Sequence, residues 1–325
     1  MDLLVSIERW KLKVPFRITG REWTHASCVV VELKDGPHRG FGEAAGVSYL
    51  DETVDSMREQ IVAIEHAVDE GLDREALAGL LPRGGARNAI DCALWDLECK
   101  KSGRSIWSLT GMEPQPVTTV FTIGLEDSPA EMAAKASAAH DCPVLKVKLN
   151  DDRPRERLEA IRGARPDARI VVDANQAWDM ARLESLLPAC EALGIELVEQ
   201  PLPRGADEAL EGFTSPVPLA ADESCLDTAE LDVAAARYDV INIKLDKAGG
   251  LSESLRLAAA ARERGLGLMV GNMLGTSLAM APAFVVAQLC RFVDIDGPLL
   301  LERDRPQGLR YDRGRVQVFD SRLWG

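Results

Sequence analysis

The chain has 325 residues, 46% of them hydrophobic, and a formal net charge of −14 at pH 7. That length suits one large α/β barrel with an extra module, or two ordinary domains, and the acidic balance disfavours nucleic acid and anionic membrane as partners. The seven cysteines contain no Cys-x-x-Cys pair and the four histidines are far apart, which argues against a disulfide framework, a thiolate zinc site or a histidine-based mechanism.

Residues 1 to about 46 read as an antiparallel meander, with strands near Leu3–Phe16, Ser27–Leu33 and Gly40–Ala44. Lys34-Asp35-Gly36 supplies turn chemistry. Phe16–Thr24 reads as a polar, mobile loop. Gly40-x-Gly42-x-x-Ala45 fits a dinucleotide fingerprint, but no helix follows it at once, so a tight turn is expected instead. Residues 51–111 read as helical. The strongest segment is Gly84–Lys101, where Ala89, Ile90, Ala93, Leu94 and Leu97 make an apolar stripe that Gly103 ends.

From Val117 onward, strand and helix alternate. Strand Val117–Ile123 leads into a helix from Pro129 with Ser128 as N-cap. Strands then end on Lys148, Asp173, Glu199, Asp222 and Lys244, at spacings of 25, 26, 23 and 22 residues. Helices are expected near Pro154–Gly163, Met180–Leu193, Ala206–Gly212, Thr228–Arg237 and Ser252–Arg264. Strand Leu266–Gly271, helix Ser277–Leu289 and strand Phe292–Asp296 close the count. Eight strands with seven intervening helices predict parallel pairing, right-handed crossovers and a closed barrel. The fold class is therefore α/β, a modified (β/α)8 or (β/α)7β barrel. Residues 1–112 would form an α+β capping domain, completed by a return segment over 299–325, with the barrel over 113–298. No apolar run is long enough to span a bilayer and the N-terminus lacks the leader pattern, so a cytoplasmic location is expected.

In such a barrel, the strand C-termini converge on one site. Asp173, Glu199 and Asp222 would repel one another there unless a cation joined them. An all-oxygen set suits Mg²⁺, with Mn²⁺ possible. Lys148 and Lys244 would flank that cation from nearly opposite sides. Lys146 points the same way as Lys148, since strand side chains repeat every two residues. Like charge, the cation and exclusion of water are expected to depress the amine pKa toward the working range. The structural alternative is that Lys146 pairs with a carboxylate on a neighbouring strand. Two bases facing each other across a carboxylate-bound cation suit removal of a proton α to a carboxylate, an enediolate-like intermediate, and return of a proton to the other face.

Lys146-x-Lys148, Asp173-Ala-Asn175, Glu199-Gln-Pro201, Asp222-Glu223-Ser224 and Lys244 resemble the enolase superfamily, muconate-lactonizing-enzyme subgroup. Ala86–Glu98 is similar to a helix of that family's capping domain. The resemblance implies Lys148 and Lys244 as the acid/base pair with Lys146 in support. It also implies Asp173, Glu199 and Asp222 as metal ligands. Asp294-Ile-Asp296 is similar to the Asp-x-Asp motif by which the dipeptide epimerases of the subgroup hold a free α-ammonium group, and two carboxylates on one side of a strand suit an –NH₃⁺. Lys244-Leu-Asp-Lys-Ala-Gly-Gly and Gly271–Ser277 look most like L-Ala-D/L-Glu epimerases. Gly275 stands where many dipeptide epimerases carry Glu. Arg21, with Arg17 as backup, matches an arginine that binds a glutamate side chain in some members, and Thr122 and Met273 complete the candidate substrate contacts. Lys247, just past a strand end, reads equally well as a solvated helix-start residue.

The implied function is a Mg²⁺-dependent dipeptide epimerase with a small-molecule dipeptide as partner, in murein peptide metabolism, without nucleic acid or membrane. A homo-oligomer is possible. The alternatives are an N-acylamino acid racemase or cycloisomerase of the same superfamily, or a metal-binding paralogue without turnover.

Overall fold

The structure is a computed structural model describing residues 1–325. β1 (Asp2–Ile18) and β2 (Arg21–Asp35) form a long antiparallel hairpin, and β3 (His38–Ala44) pairs with the far edge of β2. The expected loop over residues 16–24 is the tip of this hairpin. Phe16 pairs with Trp23, Arg17 with Glu22 and Ile18 with Arg21, and Gly20 turns the chain at φ +72°. The alternation is hidden in the sequence because the register shifts between Lys11 and Phe16, which changes the face on which side chains emerge.

Helix Val54–Ala63 starts at a capping box between Thr53 and Ser56. Short helices Glu65–Asp69 and Arg74–Leu80 lead to the long helix Gly85–Ser102, which Gly103 ends in the left-handed region. The long helix lies directly on β3. A Cβ at Gly40 would meet Ala93 O at 2.2 Å, and one at Gly42 would meet Ala89 O at 2.0 Å. The Gly-x-Gly motif is thus a close helix-on-strand contact within β3, where a tight turn was expected.

The second layer is a curled sheet of eight consecutive parallel strands: β5 (Phe121–Ile123), β6 (Val144–Lys148), β7 (Arg169–Asp173), β8 (Ile195–Glu199), β9 (Leu219–Ala221), β10 (Val240–Ile243), β11 (Gly267–Val270) and β12 (Phe292–Val293). Residues in or flanking its first and last strands touch: Val120 N donates to Val293 O at 2.9 Å, and Ile295 N donates to Thr119 Oγ1 at 3.0 Å. The strand expected over 117–123 is divided. Val117–Thr118, here β4, leaves the curled sheet to pair with β14 (Arg315–Val316), which also pairs with β13 (Tyr311–Asp312). The helix expected over 206–212 is a single 3₁₀ turn, Glu208–Leu210. Pro201, Pro203, Pro216 and Pro218 crowd that crossover and deny it backbone donors. The helix expected over 228–237 begins as a 3₁₀ turn and is α-helical only over Leu231–Ala235.

The C-terminal segment touches both layers. Glu302 N donates to Lys11 O at 2.8 Å, and the Trp324 indole to Phe41 O and Cys92 O at 3.1 Å each. Buried Glu43 of β3 accepts from Thr276 N and from Arg305, tying the meander, the loop after β11 and the tail together. No helix is long and apolar enough to cross a membrane.

Candidate active site

Parallel register sets the site. Lys148 pairs with Asp173, Asp173 with Glu199, and Glu199 with Ala220, so that Asp222 emerges two residues further on at the same end. Asp173, Glu199 and Asp222 are completely buried, and Lys146, Lys148 and Lys244 nearly so. Charges buried this deeply must be paired. Lys146 Nζ lies 3.1 Å from Asp173, 2.7 Å from Glu199 and 2.8 Å from Asp294. Lys148 Nζ donates to Asp173 Oδ2 and Lys244 Nζ to Asp222 Oδ2, each at 2.6 Å.

These pairs set the protonation balance. Burial pushes Glu199 up, reinforced by Asp173, to about 7. Burial also opposes ionisation of Asp173 and Asp222, but the lysines outweigh it and hold both below the usual carboxylate range. For Lys146 and Lys244, burial disfavours the ammonium and the carboxylates overcome it, so both lie above the usual lysine range. For Lys146 and Lys244 the expected depression of the amine is therefore not a property of the protein alone. The carboxylates that raise Lys244 include Asp222 and Glu199, two of the three that a cation would engage.

No three His, Cys, Asp or Glu side chains form a ready-made metal-ligand group, and ammonium groups stand between the acids. The donor chemistry nonetheless fits a hard divalent cation, being all oxygen and buried. Glu199 Oε2 and Asp222 Oδ1 are each ion-paired at 2.7 Å, with Lys146 and Lys247, but accept no well-aligned hydrogen bond, so a cation could engage them. Asn242, two residues before Lys244 on the same strand face, donates to Glu199 Oε1 at 2.7 Å. The period-two rule that paired Lys146 with Lys148 would have found it.

A cavity of about 320 Å³ opens over this cluster, at the small end for a ligand site. Lys148 and Lys244 both line it, with Met273, Asn175 and Glu223 from the curled sheet's loops and Phe16, Trp23 and Tyr49 from the other layer. Tyr49 was not singled out in the sequence, and Glu223 entered only as part of the Asp222-Glu223-Ser224 motif. Tyr49 Oη and Glu223 Oε2 are buried without hydrogen-bond partners. Asp294 and Asp296 are buried beside the site, 5% and 2% exposed. Asp294 bonds to Lys146 and Asn272, and Asp296 Oδ2 accepts from Thr122 N at 2.7 Å. Burial, then Asp294, raises Asp296 to about 7. Thr122 itself faces a neighbouring cavity under Phe16. Arg21 lies outside the main cavity, donating to Ser48 O at 3.1 Å on its rim, and Arg17 pairs with Glu22 and Asp127. Gly275 packs against Glu43 and Ala279, where a Cβ would come within 3.1 Å of each.

A curled parallel sheet that gathers lysines and carboxylates at one end, under an α+β lid, defines the class: an α/β fold of the enolase type. The chain belongs to that family. Residues 1–111 match the mandelate racemase / muconate lactonizing enzyme N-terminal domain, and residues 129–322 match the enolase C-terminal domain-like model. It is similar to the L-Ala-D/L-Glu epimerase of Escherichia coli K12, 41% identical over 96% of this chain and 98% of that one. It is also similar to an N-acetyl-D-glutamate racemase of Pseudoalteromonas, 40% identical over 91% of this chain and 95% of that one. An enolase family member from Agrobacterium tumefaciens, described as homologous to dipeptide epimerases and bound to sodium and L-Ala-L-Glu, superposes with a TM-score of 0.97. It is 44% identical and covers 99% of each chain. A Methylococcus capsulatus dipeptide epimerase with Mg and L-Arg-D-Lys has a TM-score of 0.88 at 30% identity, covering 98% of this chain and 97% of that one.

Proposed function

We propose that the chain is a Mg²⁺-dependent dipeptide epimerase acting at the Cα of the C-terminal residue, with L-Ala-D/L-Glu as its substrate. The observation that carries this reading is that Lys148 and Lys244 line the same cavity, each bonded to a different member of the carboxylate trio. The relatives' activities support it. Asp173, Glu199 and Asp222 would hold Mg²⁺, or Mn²⁺, whose positive charge would stabilise the charge gathering on the substrate carboxylate.

Lys148 and Lys244 move the protons. One takes the α-proton from one face, the other delivers a proton to the opposite face, and the centre inverts. Lys146, bonded to Asp173, Glu199 and Asp294, keeps the acids in place and adds positive charge beneath the substrate. Asp294 and Asp296 receive the free α-ammonium group. Arg21, on the rim, turns to the glutamate side chain, while Thr122 and Met273 bound the substrate. The lid and the tight cavity exclude water from the exchanging proton. In this reading the curled sheet is a (β/α)7β barrel over residues 113–298, capped by 1–112 and 299–325. The enzyme works in the cytoplasm on murein-derived dipeptides.

A second reading is racemisation of N-acylated glutamate. The Pseudoalteromonas relative favours it, as does Asp294's commitment to Lys146 and Asn272. An acylated substrate has no ammonium for Asp296 to hold. Incubation in D₂O with Mg²⁺ and either L-Ala-L-Glu or N-acetyl-L-glutamate separates the two. Deuterium should enter the glutamate Cα of the dipeptide with the higher kcat/KM. Faster exchange into the acylated amino acid would replace the first reading with the second.

A further inference from the structure

We infer that Lys247 is a positioning residue that locks Asp222 in place, an inference that rests on Asp222 being a cation ligand. Lys247 lies in the short helix Leu245–Ala248, three residues beyond Lys244. A lysine there would ordinarily extend its amine into water. Here its side chain is fully buried. Its Nζ donates to Asp222 O, to Asn242 O at 2.9 Å and to Cys225 O at 3.1 Å.

An ammonium group has three protons, and four oxygens surround this one, the three main-chain carbonyls and Asp222 Oδ1 at 2.7 Å. Each oxygen of Asp222 therefore faces its own ammonium. Oδ2 accepts from Lys244, and Oδ1 is ion-paired with Lys247. The carbonyls hold Lys247 in place, and Lys247 holds Oδ1. A neutral side chain in place of this ammonium would leave Lys244 as the one charged partner of the buried carboxylate.

The three carbonyls also join two strand ends. Asp222 and Cys225 follow β9, and Asn242 belongs to β10. Lys247 thus fixes the end that carries Asp222 against the end that carries Lys244.

Its own helix cannot swing to bring the amine into the cavity. Asp246 Oδ1 accepts from Ala45 N at 3.0 Å and Gly46 N at 2.8 Å. Arg87 Nε donates to Gly249 O at 3.2 Å. Gly249 and Gly250 have φ of +86° and +118°, and a Cβ on them would strike Arg87 and Asp91. Lys247 is accordingly no third base. Its effect reaches the reaction through Asp222.

The test is Mn²⁺ binding to the full-length, substrate-free protein, followed by electron paramagnetic resonance, for wild type, Asp222→Asn, Lys247→Met and Lys247→Gln. Lys247→Met should weaken Mn²⁺ by ~10- to 100-fold, the range for losing a partner that orients a ligand. At saturating Mg²⁺ the dipeptide KM should stay within about twofold while kcat falls, since Lys247 does not touch substrate. Unchanged Mn²⁺ affinity and unchanged kcat in Lys247→Met, with Asp222→Asn impaired, would overturn the role of Lys247 alone. Wild-type affinity in Asp222→Asn would instead overturn the cation-ligand reading beneath it. If Lys247→Met does not fold, Lys247→Gln is read by the same criteria. If neither folds at saturating Mg²⁺, Lys247 belongs to the fold and the inference fails.

Discussion

Asp294 divides its carboxylate between Lys146 Nζ, 2.8 Å from Oδ2, and Asn272 Nδ2, 3.0 Å from Oδ1. Both oxygens therefore already have partners inside the protein. The neighbouring Asp296 is held by Thr122 N, and burial, then Asp294, pushes it up to about 7. An arriving ammonium group would favour its charged form.

Asp296→Asn should lower kcat/KM for L-Ala-L-Glu by roughly 10- to 100-fold, the scale of one charge-assisted hydrogen bond, and leave N-acetylglutamate turnover nearly unchanged. Asp294→Asn should depress both, because it also removes one of the three carboxylate charges that hold Lys146. Steady-state kinetics on the two substrates make the comparison. Equal losses for Asp296→Asn on both would remove its ammonium role.

Replacing a base on one face should not silence the other. Lys148→Ala and Lys244→Ala should each lose epimerisation by about 10³-fold or more, within the range for general acid–base groups. Each should still exchange the Cα proton of one epimer in D₂O, and the two variants should retain opposite epimers. Proton NMR of both epimers reads this directly, and a variant that exchanges both would contradict the two-sided arrangement.

Chelation should separate activity from folding. EDTA should abolish turnover and added Mg²⁺ or Mn²⁺ should restore it. The lysines already offset the buried acids, so the chelated protein should remain folded by circular dichroism. Added Mg²⁺ should raise Tm, as ligand binding to the native state requires. A chelated protein that unfolds would mean that the lysines do not suffice.

Asp246 makes stability depend on pH. Burial is the main cause of its raised pKa of about 7, with Glu52 and Glu43 adding to it and the Ala45 and Gly46 amides opposing it. An unfolded aspartate titrates near about 3.9. Between those values the folded protein holds a proton that the unfolded chain has released. This contribution is therefore complete below about pH 4, is lost as pH rises through about 7, and is flat above, with an amplitude on the order of a few kcal/mol. Asp246→Asn keeps an oxygen for both amides and removes the titration. Calorimetry should show a smaller fall in Tm from pH 5 to pH 8 for the variant than for wild type, and an equal fall would exclude Asp246 as the source.

The strands of the curled sheet were legible because each rests on local rules. β6, β7 and β8 follow from short apolar runs with charged ends, and their near-constant spacing implies parallel register, which brings Lys148, Asp173 and Glu199 abreast. The hairpin tip over 16–24 was not legible, because a register shift conceals its alternation. The division at Thr119 and Val120 depends on pairing with a strand nearly 200 residues away. Gly40 and Gly42 make sense only against the helix that lies on them.

What the sequence determined by itself was the set of charges at the strand ends and the order in which they meet, since period and spacing are properties of the chain alone. Only the tertiary structure decided how those charges share one another. Lys146 reaches three acids at the ends of three strands, Arg21 turns to Ser48 at the rim, and Lys247 is enclosed by carbonyls of two strand ends. The reason is physical. Inside the protein, a charge is settled by which groups surround it after water has been removed, and neighbours distant in sequence supply most of those groups.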